Sequence, residues 1–139
     1  MRQKTNYAVP PNAFEIERIG NNAVIRFREN ITEHENGENT WFEADEYTLE
    51  VLFNITLESR VYADYESWLF RAKQADCEKI SESARNRRDK SLLKTDWTQV
   101  KDVALSEFDM AAYAEYRQAL RDIPQQPGFP YTIVWPKMP

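Results

Sequence analysis

The chain is 139 residues long, 42% hydrophobic and 13% aromatic, which suffices for one compact domain or a small domain with an appendage. Its net charge of −5 and 29% charged residues leave it without the basic surface that a nucleic-acid partner demands. No apolar run approaches the roughly 20 residues of a membrane helix. The start, Met1-Arg2-Gln3-Lys4-Thr5-Asn6, lacks the apolar stretch of a signal peptide, and the single cysteine, Cys77, allows no intrachain disulfide, as suits a reducing cytosol.

The first dozen residues read as loose, because Pro10-Pro11 can neither continue a helix nor sit in a central strand. A β region follows. Phe14 and Ile16 alternate with Glu15 and Glu17, Gly20-Asn21 is a turn signal, and Ala23, Ile25 and Phe27 alternate with Val24, Arg26 and Arg28. Asn36-Gly37 is the strongest hairpin signal. A two-residue loop there pairs Ile31 with Phe42, at the cost of setting Glu35 opposite Glu38, so a longer loop is the alternative. Tyr47, Leu49 and Val51 alternate once more. Three or four antiparallel strands are therefore predicted between about residues 13 and 52, with one wet face.

The period then becomes helical. Leu57, Val61, Tyr65, Trp68, Ala72 and Ala75 share a face, and the pattern continues through Ile80 and Ala84 to Leu92. One helix from Thr56 to Lys94 would run to roughly 60 Å, so a break near Ala63-Asp64 or a projecting arm is expected. The second half has few large apolar side chains and is expected to self-associate, giving a homo-oligomer, or to pack on the C-terminal helix. Its basic run Arg85, Arg87, Arg88 and Lys90 reads as a solvated face.

Ser106 and Asp109 form a capping box for a second helix, with Leu105 and Met110 at staple positions. Ala112, Tyr116, Ala119, Leu120 and Ile123 make its apolar stripe, and Pro124 stops it. The proline-rich tail from Pro127 to Pro139 should be an extended strap. The fold class is thus α+β: a small antiparallel β region over residues 1–53, then a helical region over residues 54–139 that holds a long helix, a short capped helix and the strap.

Signals for catalysis are poor. His34, the only histidine, sits in an acidic turn and should face solvent. Strand alternation splits Glu43, Asp45, Glu46 and Glu50 between faces, against a metal cage. There is no glycine-rich phosphate loop, no Cys/His metal spacing and no nucleophile elbow, so neither an enzyme nor a cofactor is expected.

Three blocks in the last third carry the one specific resemblance. These run from Arg88 to Gln99 with Leu92-Leu93-Lys94-Thr95-Asp96-Trp97-Thr98 within it, from Ala111 to Pro124 with Tyr116-Arg117-Gln118-Ala119-Leu120-Arg121-Asp122-Ile123-Pro124, and from Phe129 to Pro139 with Phe129-Pro130-Tyr131-Thr132-Ile133-Val134-Trp135-Pro136. In this order and spacing they resemble the C-terminal module of phage tail assembly chaperones, over about residues 85–139. The resemblance implies a non-catalytic phage or prophage factor that binds a tail component (a fibre, tape measure or tube subunit) in the bacterial host cytoplasm. A minor structural protein of the tail or baseplate, retained in the virion, is the alternative. Within the module, Trp97 reads either as a buried anchor or as a groove-lining residue. Tyr113, Arg117 and Arg121 on the second helix, and Phe129, Tyr131 and Trp135 on the strap, complete the candidate partner-binding set, offering rigid aromatic area and charge-assisted hydrogen bonds; the alternative readings are a helix docked on the long one and a strap packed across its own helices.

Overall fold

The computed structural model describes residues 4–37 and 39–139, and the chain divides into two compact units between Glu78 and Lys79. The first unit is built on four antiparallel strands, β1 (Lys4–Tyr7), β2 (Phe14–Ile19), β3 (Asn22–Asn36) and β4 (Asn39–Leu52), in the order β1-β4-β3-β2. The strand β1 lies in the stretch expected to be loose. It pairs with β4 from Lys4↔Asp45 to Tyr7↔Phe42, a partner that only the folded chain brings near. Gly20 takes the positive φ of +63° that the β2–β3 turn requires.

The β3–β4 hairpin corrects the expected register. Asn36 pairs with Asn39 and Glu35 faces Thr40; Glu38, the expected partner of Glu35, lies outside the described residues. Ile31 does not face Phe42, whose partner is Glu33. A bulge between Glu29 and Thr32 shifts the count, with Asn30 held at φ 50°. The Asn30 amide donates to Asp45 and the Thr32 hydroxyl to the Asn30 carbonyl, so the irregularity is satisfied locally.

One face of the sheet carries the core. Ala23, Ile25, Phe27 and Tyr47 are buried against Leu57 and Val61 of α1 (Leu57–Ala63) and against Trp68, Leu69 and Ala72 of α2 (Tyr65–Leu93). The predicted break falls at Asp64, whose carbonyl accepts from the Trp68 amide and starts the second helix. The other face is wet but ordered by ion pairs. Arg28 is buried there: it donates to the Tyr7 hydroxyl at 2.7 Å and pairs with Glu15 at 2.8 Å and Glu46 at 3.2 Å. The hydrogen bond from Arg28 holds the Glu15 carboxyl below its usual range. His34 is half-buried rather than free in solvent. Its ring stacks on Trp41 across the hairpin at 5.4 Å, because the two are directly paired.

The second unit holds the end of α2, a 3-10 turn (Asp96–Gln99), α3 (Glu107–Arg121), a second 3-10 turn (Ile123–Gln125) and the tail. Ser106 caps α3 as expected: its hydroxyl accepts from the Asp109 amide, and it donates to the Asp109 carboxylate. Ser106→Ala should cost about 1 kcal/mol, the ordinary value of an N-cap, read as a lowered urea midpoint with an unchanged slope. Tyr116, Leu120 and Ile123 form a small core, with Leu92, Phe129, Ile133 and Trp135 packed against it. Leu92, in the thin second half of α2, is thereby covered.

Candidate functional site

The turn after α2 is made by its own polar side chains. Thr95 and Thr98 are buried, and each hydroxyl donates to a carbonyl one turn back, Thr95 to Leu92 at 3.0 Å and Thr98 to Thr95 at 2.7 Å. Arg117 reaches this turn from the inner face of α3. One guanidinium nitrogen donates to the Leu92 carbonyl at 2.9 Å and to the Thr95 hydroxyl at 2.8 Å, and the other to the Asp96 carboxylate at 2.8 Å. The Leu92 carbonyl at the end of α2, which already accepts from the Thr95 amide, thereby gains a charged donor. Threonine, aspartate and arginine are therefore one clamp.

Trp97 is the large apolar residue of this turn, and it is left exposed beside Asp96 and Gln99. Its side chain is 48% exposed, so the buried-anchor reading does not hold. The reason is positional: Thr95 and Thr98 take the inward directions of the 3-10 turn. The Trp97 ring meets Tyr113 of α3 edge-on, with centroids 5.6 Å apart and planes at 70°. Met110, one turn before Tyr113 on α3, is half exposed. Trp97 and Tyr113 thus form a fixed aromatic edge on a turn that Arg117 holds from beneath.

The tail begins with tight turns rather than an extended run. The Phe129 amide donates to the Gln126 carbonyl and the Thr132 amide to the Gly128 carbonyl. A Cβ at residue 128 would lie 2.3 Å from the Thr132 carbonyl oxygen, so only glycine closes this turn. From Ile133 the chain has no helix or strand, and the Gln126 side chain clips it by accepting from the Val134 amide and donating to the Val134 carbonyl. Two residues of the basic run are used here: Arg85 lies over the Phe129 ring at 5.5 Å and Arg87 over Trp135 at 4.0 Å.

Of the predicted set, the structure joins Trp97 with Tyr113. It turns Arg117 inward, leaves Arg121 exposed near the end of α3, and sets Phe129 and Trp135 on the small core. Tyr131 is half-buried in the tail turns. Sequence reasoning missed the clamp role of Thr95 and Thr98, and it missed that Phe108 (82%) and Val134 (76%) stand exposed. The threonine signal was available, since a T-D-x-T run after a helix offers two hydroxyls for back-bonding.

The acidic strand segment holds no shared site. Glu43 pairs with Lys4, Asp45 with Asn30, Glu46 with Tyr7 and Arg28, and Glu50 with Asn22. No group of three metal-ligating side chains exists among the described residues. No described helix is long and apolar enough to cross a membrane.

Residues 81–139 match the family model described as phage tail assembly chaperone protein. Comparison with curated proteins and with solved structures finds no match for the chain. The resemblance seen in the three sequence blocks is thereby shown for this module, and it supports a role in phage tail assembly.

Proposed function

We propose that the protein acts without catalysis, as a chaperone that holds a tail subunit in the host cytoplasm during morphogenesis. The client is a fibre, tape measure or tube subunit, and it docks on the second unit around Trp97 and Tyr113. The observation that carries this reading is the exposed indole on a turn fixed by Arg117. A large apolar ring left half in water costs nothing further to order and is the kind of residue that dominates interfaces. Exposed Arg121 and Met110 on the same helix add charge and adaptable apolar area.

A pull-down from induced or infected cells, with mass spectrometry of the bound tail protein and of purified virions, tests this. The expected result is one tail subunit captured and this chain absent from finished particles. Its presence in the virion would favour a minor structural protein of the tail or baseplate. Trp97→Ala should leave the urea midpoint close to that of the parent while weakening the captured client by about 30-fold or more, the scale of a central aromatic hot spot. Unchanged affinity would remove Trp97 from the contact.

A further inference from the structure

A second surface of this unit is left without a role by the aromatic edge. Lys79, Ser83, Asn86, Arg87, Lys90, Ser91 and Lys94 recur at one- and two-turn spacing, so they share one face of α2, and they line a shallow groove of about 710 Å³ together with Glu82. From Lys79 to Lys94 the stripe is about 22 Å long at the helical rise. No carboxylate lies within ion-pair distance of Lys79, Lys90 or Lys94 among the described residues. Arg87 rests on the Trp135 ring rather than on an acid. Residues up to Glu78 number fifteen acidic against eight basic, while those from Lys79 on number ten basic against eight acidic, so the chain's positive charge is concentrated where this groove runs.

We infer that this face of α2 docks an acidic segment of the client, one carrying Asp or Glu at helical-turn intervals along about 22 Å. The lining contains no apolar side chain, so the occupant is recognised by its charges, with the two serines and Asn86 as neutral hydrogen-bond partners. An acidic peptide is favoured over nucleic acid because the groove supplies only four cations, Lys79, Arg87, Lys90 and Lys94, with Glu82 among them, which matches a short segment with a few carboxylates and falls short of the extended basic surface that a run of phosphates needs. The inference rests on the tail-assembly reading only for the identity of the partner, not for its chemistry.

The probe is a labelled alanine-based peptide of about 20 residues with Glu at every fourth position, against the same peptide with Gln, titrated onto the full chain. The Glu peptide should bind at low ionic strength and be released by salt, and the Gln peptide should not bind. Replacing Lys79, Lys90 and Lys94 together by Gln should weaken binding about tenfold and flatten the salt dependence, since each exposed pair contributes little alone. Lys90→Glu by itself should weaken it comparably, which keeps the test open if the triple variant misfolds. Equal binding of both peptides, or of parent and variants, would overturn the inference, as would a DNA duplex binding more tightly than the Glu peptide. The captured tail protein separates the two readings. A client held equally by the Gln variant refutes this groove and leaves the chaperone role standing. Glu-peptide binding with no tail protein captured supports the groove and refutes that role.

Discussion

Arg117→Ala should destabilise the second unit by about 2–4 kcal/mol, although it lies on a helix whose sequence marks it as a recognition residue. Its ion pair with Asp96 contributes little of this, because the Asp96 side chain is 53% exposed and water screens the pair. The larger loss is at Thr95, which is fully buried, and at the Leu92 carbonyl: both lose a charged donor. The stem of Arg117, itself only 7% exposed, also leaves a void. Asp96→Asn is the control, expected to cost under about 1 kcal/mol. Urea unfolding followed by far-ultraviolet circular dichroism, with hydrogen exchange on α3, measures both. If Arg117→Ala matched the parent, the clamp would not be what orders the turn. The same variant should weaken the client where Trp97 forms the contact, since a loosened turn no longer presents the indole in one position.

The largest effect in the first unit is expected at Phe27. Its ring is fully buried in the centre of β3, edge-on to Tyr65 at 5.6 Å and tilted against Phe14 at 6.1 Å. Phe27→Ala removes the ring and its two aromatic contacts from the core that it shares with Ile25 and Val61, and should cost about 3–5 kcal/mol. Faster hydrogen exchange throughout β3 and β4 would report it. Ile55→Ala serves as the comparison: that side chain is 91% exposed, and its removal should change stability by less than about 0.5 kcal/mol. Equal costs for the two would mean that the sheet core does not sit on this face of β3.

The sequence by itself determined the elements whose signals are local. Alternation over Ala23 to Phe27 marked the buried face of β3. Gly20-Asn21 marked a turn that needs positive φ. Ser106 and Asp109 marked the start of α3, and the excessive length of one helix predicted the break that occurs at Asp64. Each depends on residues a few positions apart, so backbone geometry and side-chain period decide it. The family blocks were legible for the same reason, as ordered short motifs. Only the tertiary structure decided the rest. Lys4–Tyr7 became a strand because β4 offered an open edge, and Arg28, placed by alternation on a wet face, was buried because Tyr7, Glu15 and Glu46 converge on it from three other strands. The bulge at Asn30 changed the pairing of Ile31, since one extra residue shifts every later partner. At the candidate site the exchange of roles between Arg117 and Trp97 had the same origin. The sequence reads Trp97 at a helix terminus and Arg117 on the outer face of the second helix, but which one turns inward depends on a contact between residues 92–96 and 117, about twenty positions apart in the chain. Burial of a charge is favourable only where donors and acceptors from distant segments meet it, and no local pattern encodes that meeting.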